Sequence, residues 1–506
     1  MRPNVLLLMA DQLAAGWLPA YGHDVVQAPH LDALAGESVV FDSAYCASPL
    51  CAPSRAALLT GKLPSRTGVY DNAAELPASE PTIAHRLRLE GYRTCLAGKM
   101  HFVGPDQLHG YEERLTTDIY PADFEWTPDW ERPLDDPLPW YHTMEAVRTP
   151  AVAHASMQLD YDDEVAFHAV RRLHDLARDG PQQPFFLSVS FTHPHDPWEL
   201  RAAHWDRYER ADIDLPAVPP IPLDEADPHS RRLRAMSGID RAALTDEEVR
   251  AARHAYYAAI SYVDERIGEV LAALRALGLD ERTIVVFTAD HGELLGERGL
   301  WYKMSFFEPS ARVPLFIRVP GRPPARVRDP VSQLDLVPTI AALTGLNAAV
   351  HDGDGTSLVP LLGEPPAQRP GAVYAEYLAE GVTAPAVMVR RGRHKFVHGE
   401  GDPDQLYDLE ADPAELDDLA TSPDHRELVE AFRREVAQRW DLEDLRRRVI
   451  ASQVRRHLVA RALRVGRPEP WDFEPRVDAA ARYVRNRDDL YAQQRRARLV
   501  ARPATG

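Results

Sequence analysis

Residues 283–292 read TIVVFTADHG. An uncharged run of β-branched and aromatic residues from Thr283 to Thr288 stops at Ala289-Asp290-His291-Gly292. This is the pattern of a strand buried on both faces, with polar residues just past its carboxyl end. The N-terminus has the same form: residues 5–9 (VLLLM) lead into Asp11-Gln12. Residues 185–190 (FFLSVS) and 314–319 (PLFIRV) are further strand-like runs. Helical patterns lie between them. Residues 81–90 (PTIAHRLRLE) precede Gly91, a helix stop, and 162–177 and 246–277 carry apolar residues at helical spacing. Strands alternating with helices predict an α/β fold with a large central, mostly parallel sheet sandwiched by helices. Such sheets bind ligands outside the carboxyl ends of their strands. Asp11 and Asp290 are therefore expected in one crevice although far apart in sequence.

The Pro-rich stretches 121–139 and 215–228 read as loops or insertions. Beyond residue 371 the pattern changes. Residues 387–398 read as two short strands joined at Arg391-Gly392, and helical segments follow, broken at Asp412-Pro413 and Ser422-Pro423. The expected division is a large first domain over 1–370, a smaller C-terminal α+β subdomain over 371–440, and an extended C-terminal tail over 441–506. The tail is Arg-rich and carries Pro470-Trp471-Asp472-Phe473. It reads either as a solvated segment or as an arm docked on the domain or on another subunit.

The chain has 506 residues, 45% hydrophobic and 27% charged, enough for a large buried core. Its net charge of −19 speaks against nucleic acid or an anionic membrane as partner. An anionic substrate must then meet a locally positive pocket. One Arg before the apolar run at 5–9 resembles a signal peptide superficially, but the run is short and Asp11-Gln12 interrupt it. No apolar run approaches the ~18 residues of a membrane span, so the expected compartment is the cytoplasm. Cys46, Cys51 and Cys95 are too few, and odd in number, for a disulfide framework.

Cys51-Ala52-Pro53-Ser54-Arg55, followed by Leu58-Leu59-Thr60-Gly61-Lys62, resembles the signature of the formylglycine-dependent sulfatases, of the alkaline-phosphatase-like superfamily. Read alone, the pentapeptide is also compatible with a buried Cys before a Pro turn. The resemblance implies that a separate formylglycine-generating enzyme oxidises Cys51 to formylglycine, whose hydrate offers two hydroxyls. One attacks sulfur and the other later expels sulfate, an exit that a plain serine lacks. It also implies a divalent metal held by Asp11, Gln12, Cys51, Asp290 and His291. Gln12 and His291 depart from the commonest family form, which has a second Asp and an Asn there. Carboxylates and an amide oxygen suit Ca²⁺, and the added imidazole makes Mn²⁺ the alternative. By the same resemblance Arg55 fixes the formylglycine hydroxyl, Lys99 of Gly98-Lys99-Met100-His101 binds sulfate oxygens, and His101 takes a proton from the second hydroxyl. His195, in Thr192-His193-Pro194-His195-Asp196-Pro197, binds sulfate or protonates the leaving group. His193 reads equally as a structural neighbour. Lys303 balances charge on the leaving oxygen.

Residues 69–75, 98–124 and 296–308, and the tail with Trp471-Asp472-Phe473, resemble the choline sulfatases within that family. Tyr120, Phe124, Trp126, Trp130, Trp140 and Tyr141 crowd one short stretch, and aromatic faces hold a quaternary ammonium without a hydrogen bond. An ordinary packed loop cluster would look the same. The resemblance implies that Trp126 and His142 line a choline pocket, that Asn72 shapes it, and that Glu380 supplies the counter-charge, with Glu376 close enough to be confused with it. It also implies a homo-oligomer, a tetramer in the pattern of the family. Two other readings stay open on the residues: a phosphonate monoester or phosphodiester hydrolase using the same chemistry, and a catalytically silent binding protein with unmodified Cys51.

Overall fold

The four longest apolar strands lie side by side, since each has to bury both faces. The computed structural model describes residues 2–132, 142–180, 183–241, 243–346, 352–363 and 371–465. Its main sheet contains β1 (Asn4–Ala10), β2 (Val39–Phe41), β3 (Arg93–Gly98), β4 (Glu113–Arg114), β5 (Phe185–Phe191), β6 (Thr283–Ala289), β7 (Leu315–Arg318) and β8 (Ala325–Val327). The order across the sheet is β8-β2-β7-β6-β1-β5-β3-β4. From β6 to β4 every neighbouring pair is parallel. Only β7 runs against its neighbours. All seven residues of β1, β5 and β6 are buried, which explains why they read as unbroken apolar runs.

Six helices position the site and flank the two sheets. α1 is Cys51–Thr60, α2 Ile83–Leu89, α3 Met157–Asp179, α4 Asp246–Ala276, α5 Arg426–Arg439 and α6 Leu442–Leu463. α3 starts earlier than its apolar spacing suggests, because Ser156 caps it by accepting from the Leu159 N–H. α4 starts at a reciprocal capping box between Thr245 and Glu248. α3 and α4 pack on each other, and α3 also lies on β3 and β5.

The C-terminal sheet is antiparallel: β9 (Ala372–Tyr377), β10 (Ala386–Arg391), β11 (His394–Gly399) and β12 (Gln405–Asp408), in that order. The hairpin expected at Arg391-Gly392 is present, with Gly392 at φ +55°. α5 rests on it through Phe432, stacked on Phe396 at 5.3 Å. One apolar cluster runs from Val5 through β9–β12 to Val449, so this sheet shares the main core. Cys46, Cys51 and Cys95 are free and buried. Among the described residues no helix is long and apolar enough to cross a membrane. Trp140, Tyr141 and the Trp471-Asp472-Phe473 segment of the tail lie outside the described residues.

Candidate active site

Parallel register builds the centre. Ala10 pairs with Ala289 on one side and Phe191 on the other, and Gly98 pairs with Ser190. The next residues, Asp290, Asp11, Thr192 and Lys99, therefore stand in a row along one edge of the sheet. Gly98, at φ +100°, is required there, because a Cβ would collide with the Ser190 carbonyl oxygen.

α1 brings Cys51 to this row. Cys51 opens the helix, where unsatisfied N–H groups favour negative charge. Asn72 Oδ1 accepts one of them, from Ala52, at 2.9 Å. Cys51 Sγ is 3.1 Å from His291 Nε2, 3.6 Å from Lys99 Nζ and 3.9 Å from Asp11 Oδ1. Arg55, one turn on, follows on the same face. Its Nε donates to Asp290 Oδ2 at 2.8 Å, and its NH1 to the Lys99 carbonyl at 2.6 Å and Ser190 Oγ at 2.9 Å. Arg55 NH2 lies 3.5 Å from Asp11 Oδ2, and Lys99 Nζ pairs with the same carboxylate. All four charged groups are fully buried. Burial resists ionisation of the Cys51 thiol, but Lys99, Lys303 and His291 outweigh it and pull its pKa well below the ordinary thiol range.

The donor set here fits a divalent cation. Asp11, Cys51, Asp290 and His291 each offer a ligand atom, and those atoms lie within 4.8 Å of one another. His291 Nδ1 is 3.0 Å from the Gly292 carbonyl oxygen, which can only accept. That contact fixes the ring with Nδ1 on the carbonyl and Nε2 turned inward beside Cys51. Gln12 is adjacent, but its Oε1 accepts from Lys303 Nζ at 2.5 Å and its Nε2 donates to Glu293 Oε2 at 2.5 Å. Its backbone N–H donates to Asp290 Oδ1 at 3.0 Å.

Opposite Cys51 stand His195 and Lys303, with Lys303 Nζ 2.9 Å from His195 Nε2. His195 Nδ1 is 2.6 Å from the Asp196 carbonyl oxygen, so Nδ1 bears the proton and Nε2 accepts from the ammonium. His193 points elsewhere: its Nδ1 and backbone N–H meet Asp162, which makes it a loop-fixing residue. His101 is buried, and neither ring nitrogen has a hydrogen-bond partner. Gln12, His101, Tyr302 and Met304 all have φ between +56° and +71°. Such conformations are rare for non-Gly side chains and gather where a site holds its groups under strain.

A second layer of residues faces outward from these. The Trp126 ring centroid is 6.2 Å from His101 and 5.9 Å from Tyr120. His142 stacks on Tyr302 at 4.4 Å, and its Nδ1 is 3.3 Å from Asp196 Oδ2. Burial and Lys303 push the His142 pKa down to about 4, so it is neutral near pH 7. Glu376 and Glu380 differ clearly. Glu376 accepts from the Ser65 backbone and hydroxyl and from Trp440 Nε1. Glu380 is 3% exposed, yet its Oε2 has no hydrogen-bond partner. Trp130 serves structure: its indole N–H donates to the Ala379 carbonyl at 2.8 Å.

The sequence pointed to neither Glu293 nor Asp118 as a site group, and it read Tyr120 only as one of the clustered aromatic rings. The Tyr120 hydroxyl is 3.0 Å from His195 Nδ1, and Lys99 Nζ sits 4.1 Å over the Tyr120 ring. Glu293 backs Gln12, and burial pushes its carboxyl up to about 7. Asp118 accepts the backbone N–H groups of Met100 and His101 at 2.9 and 2.7 Å. The one sequence signal for Glu293 is its place three residues after Asp290.

Family models match the chain in three stretches. One described as Sulfatase covers residues 3–346, one described as N-sulphoglucosamine sulphohydrolase, C-terminal, covers 296–441, and one described as Choline sulfatase enzyme C terminal covers 447–499. A choline-sulfatase of Rhizobium meliloti is 49% identical over 498 residues, 97% of this chain and 97% of its own length. An arylsulfatase of Clostridium perfringens is 28% identical, over 86% of this chain and 93% of its own. The crystal structure of a phosphonate monoester hydrolase of Agrobacterium radiobacter aligns with a TM-score of 0.67 at 27% identity, covering 88% of this chain and 96% of that one.

Proposed function

The chain belongs to the sulfatase family, and on that premise we propose that it hydrolyses choline sulfate to choline and sulfate. It is a sulfuric ester hydrolase. The observation that carries the choline reading is Glu380, a buried carboxyl group with one oxygen free, within the electrostatic reach of Cys51 and Lys303. A quaternary ammonium answers both needs there: it neutralises the carboxylate, and it needs no hydrogen bond from the Trp126 and Tyr120 rings.

The family implies a formylglycine and a divalent metal; here Cys51 would become the former, and Asp11, Gln12, Asp290 and His291 would hold the latter. Together they supply an attacking hydroxyl and a second one that frees sulfate. The two carboxylates and the amide oxygen favour Ca²⁺, while His291 favours Mn²⁺. The chain's other residues do the rest. Lys99 sets positive charge beside the sulfate oxygens, strongest where water is excluded, and His195, whose Nε2 accepts from Lys303, orients that ammonium. Lys303 faces the departing oxygen. A ring nitrogen of His101 takes the proton from the Cys51-derived side chain. Arg55 keeps Asp290 ionised and in place.

The test is sulfate release from choline sulfate beside 4-nitrophenyl sulfate and a phosphodiester on one purified enzyme. Strong preference for choline sulfate is expected. A phosphodiester preference would overturn the choline sulfate reading in favour of a phosphoryl ester hydrolase. In the same assay, Trp126→Ala should raise KM for choline sulfate by about 30-fold, the equivalent of losing ~2 kcal/mol of desolvated cation–π contact. Equal effects on choline sulfate and 4-nitrophenyl sulfate would take Trp126 out of the pocket.

The pH dependence is a second check. Burial raises the Glu380 carboxyl to about 8, with Asp71 adding to the rise and Lys303 opposing it. A cation binds the ionised form, so below that value binding must also remove a proton. KM for choline sulfate is expected to fall about tenfold per pH unit up to pH ~8 and then level off. Glu380→Gln should flatten that slope; a slope unchanged in the variant would assign it to another group.

A further inference from the structure

A buried ion pair joins the far end of the chain to the loop beside Cys51. Arg456, on α6, places NH1 2.6 Å and NH2 2.7 Å from the two carboxylate oxygens of Asp71, and NH1 also 3.1 Å from Thr127 Oγ1. Arg456 is 6% exposed and Asp71 fully buried. A forked guanidinium–carboxylate pair fixes direction as well as distance. Asp71 precedes Asn72, and Thr127 follows Trp126. One guanidinium thus ties together two separate segments that each carry a pocket residue.

The rest of the inward face of α6 works on the same wall. Gln453 Oε1 accepts the Trp130 backbone N–H at 3.0 Å, and the Trp130 indole holds the Ala379 carbonyl next to Glu380. His457 Nε2 is 3.1 Å from the Pro128 carbonyl oxygen, and Ala460 packs with Val103 and Phe124. Among the described residues, these contacts fall mainly on the segments of Asn72, Trp126 and Glu380; Val103 is two residues beyond His101, and none of the contacts is made to Lys99, His195 or Lys303 themselves.

We infer that Arg456 is a positioning residue for the leaving-group pocket: through Asp71 and Thr127 it sets Asn72 and Trp126 at the spacing a quaternary ammonium requires, without touching the substrate. The inference rests on the choline sulfate reading above. It predicts a selective loss. Arg456→Gln keeps polarity but removes the fork and the charge. In the full-length enzyme its KM for choline sulfate should rise at least about tenfold with kcat within about threefold, while both constants for 4-nitrophenyl sulfate stay within about twofold. Equal losses on the two substrates, or none on either, would overturn the inference. Should that variant fail to fold, Thr127→Val leaves the fork to Asp71 and removes the third contact, together with the bond from the Thr127 hydroxyl to the Phe124 carbonyl. A KM rise of about threefold confined to choline sulfate then supports the inference, and no rise overturns it. The parent enzyme separates the two ideas: a parent without preference for choline sulfate sinks the substrate reading itself, whereas a selective parent with an unselective Arg456→Gln sinks only the role of Arg456.

Discussion

Cys51→Ala should reduce sulfate release from choline sulfate by about 10⁴-fold or more, because the only nucleophile at the centre derives from this side chain. The fold should survive. Cys51 opens a helix in which alanine is the best tolerated residue, and its sulfur meets ionisable groups rather than the apolar core. The variant removes a group that burial opposes ionising while leaving Lys99 paired with Asp11, and Arg55 with Asp290. Kinetics and thermal unfolding of parent and variant decide the matter together. Activity within tenfold of the parent would show that the attacking oxygen comes from elsewhere. A collapse of Tm with the activity would leave the residue's role structural.

Lys303→Ala should lower kcat for choline sulfate by about 10²–10³-fold, the usual loss when a preorganised charge facing the transition state is removed. Its Nζ reaches His195 Nε2 at 2.9 Å and Gln12 Oε1 at 2.5 Å, and the left-handed backbone of Tyr302 and Met304 on either side holds it there. The size of the loss should depend on the leaving group. Choline leaves as a poor alkoxide that needs the charge, while 4-nitrophenolate largely stabilises itself. The fall is therefore expected to be at least about tenfold smaller with 4-nitrophenyl sulfate. Matching falls would place Lys303 on the sulfate oxygens instead.

What was legible in the sequence follows from periodicity and chain direction. Runs at 5–9, 185–190 and 283–288 carry no charge because both faces are covered, so their strands could be read and their carboxyl ends located. The meeting of Asp11 and Asp290 then needed only parallel pairing. Contacts made by side chains from distant segments left no such trace. Arg456 and Asp71 are 385 residues apart, and an Arg on a helix otherwise rich in Arg looks like a solvated charge. Glu376 and Glu380 are both acids near the end of one strand, and only their partners distinguish them: Ser65 and Trp440 occupy one carboxylate and leave the other with a free oxygen. Trp126 and Trp130 look alike in an aromatic run, yet the indole of Trp130 is spent on a backbone carbonyl. The Tyr120–His195 contact depends on how two loops fold over the sheet edge, which no local pattern encodes.

The pairing of Ala10 with Ala289 also governs which changes the chain can accept. Deleting one residue from β1 or β6 would shift the carboxylate beyond it by about 3.3 Å and turn it to the opposite face of the sheet. Swapping one apolar side chain for another in the same strands leaves the spacing intact. Length, more than identity, is thus what these strands must preserve. The Pro-rich stretch at 215–228 lies outside the sheet and has no part in that register, but its backbone bonds to Glu297 and Arg298 tie it to the loop before Lys303.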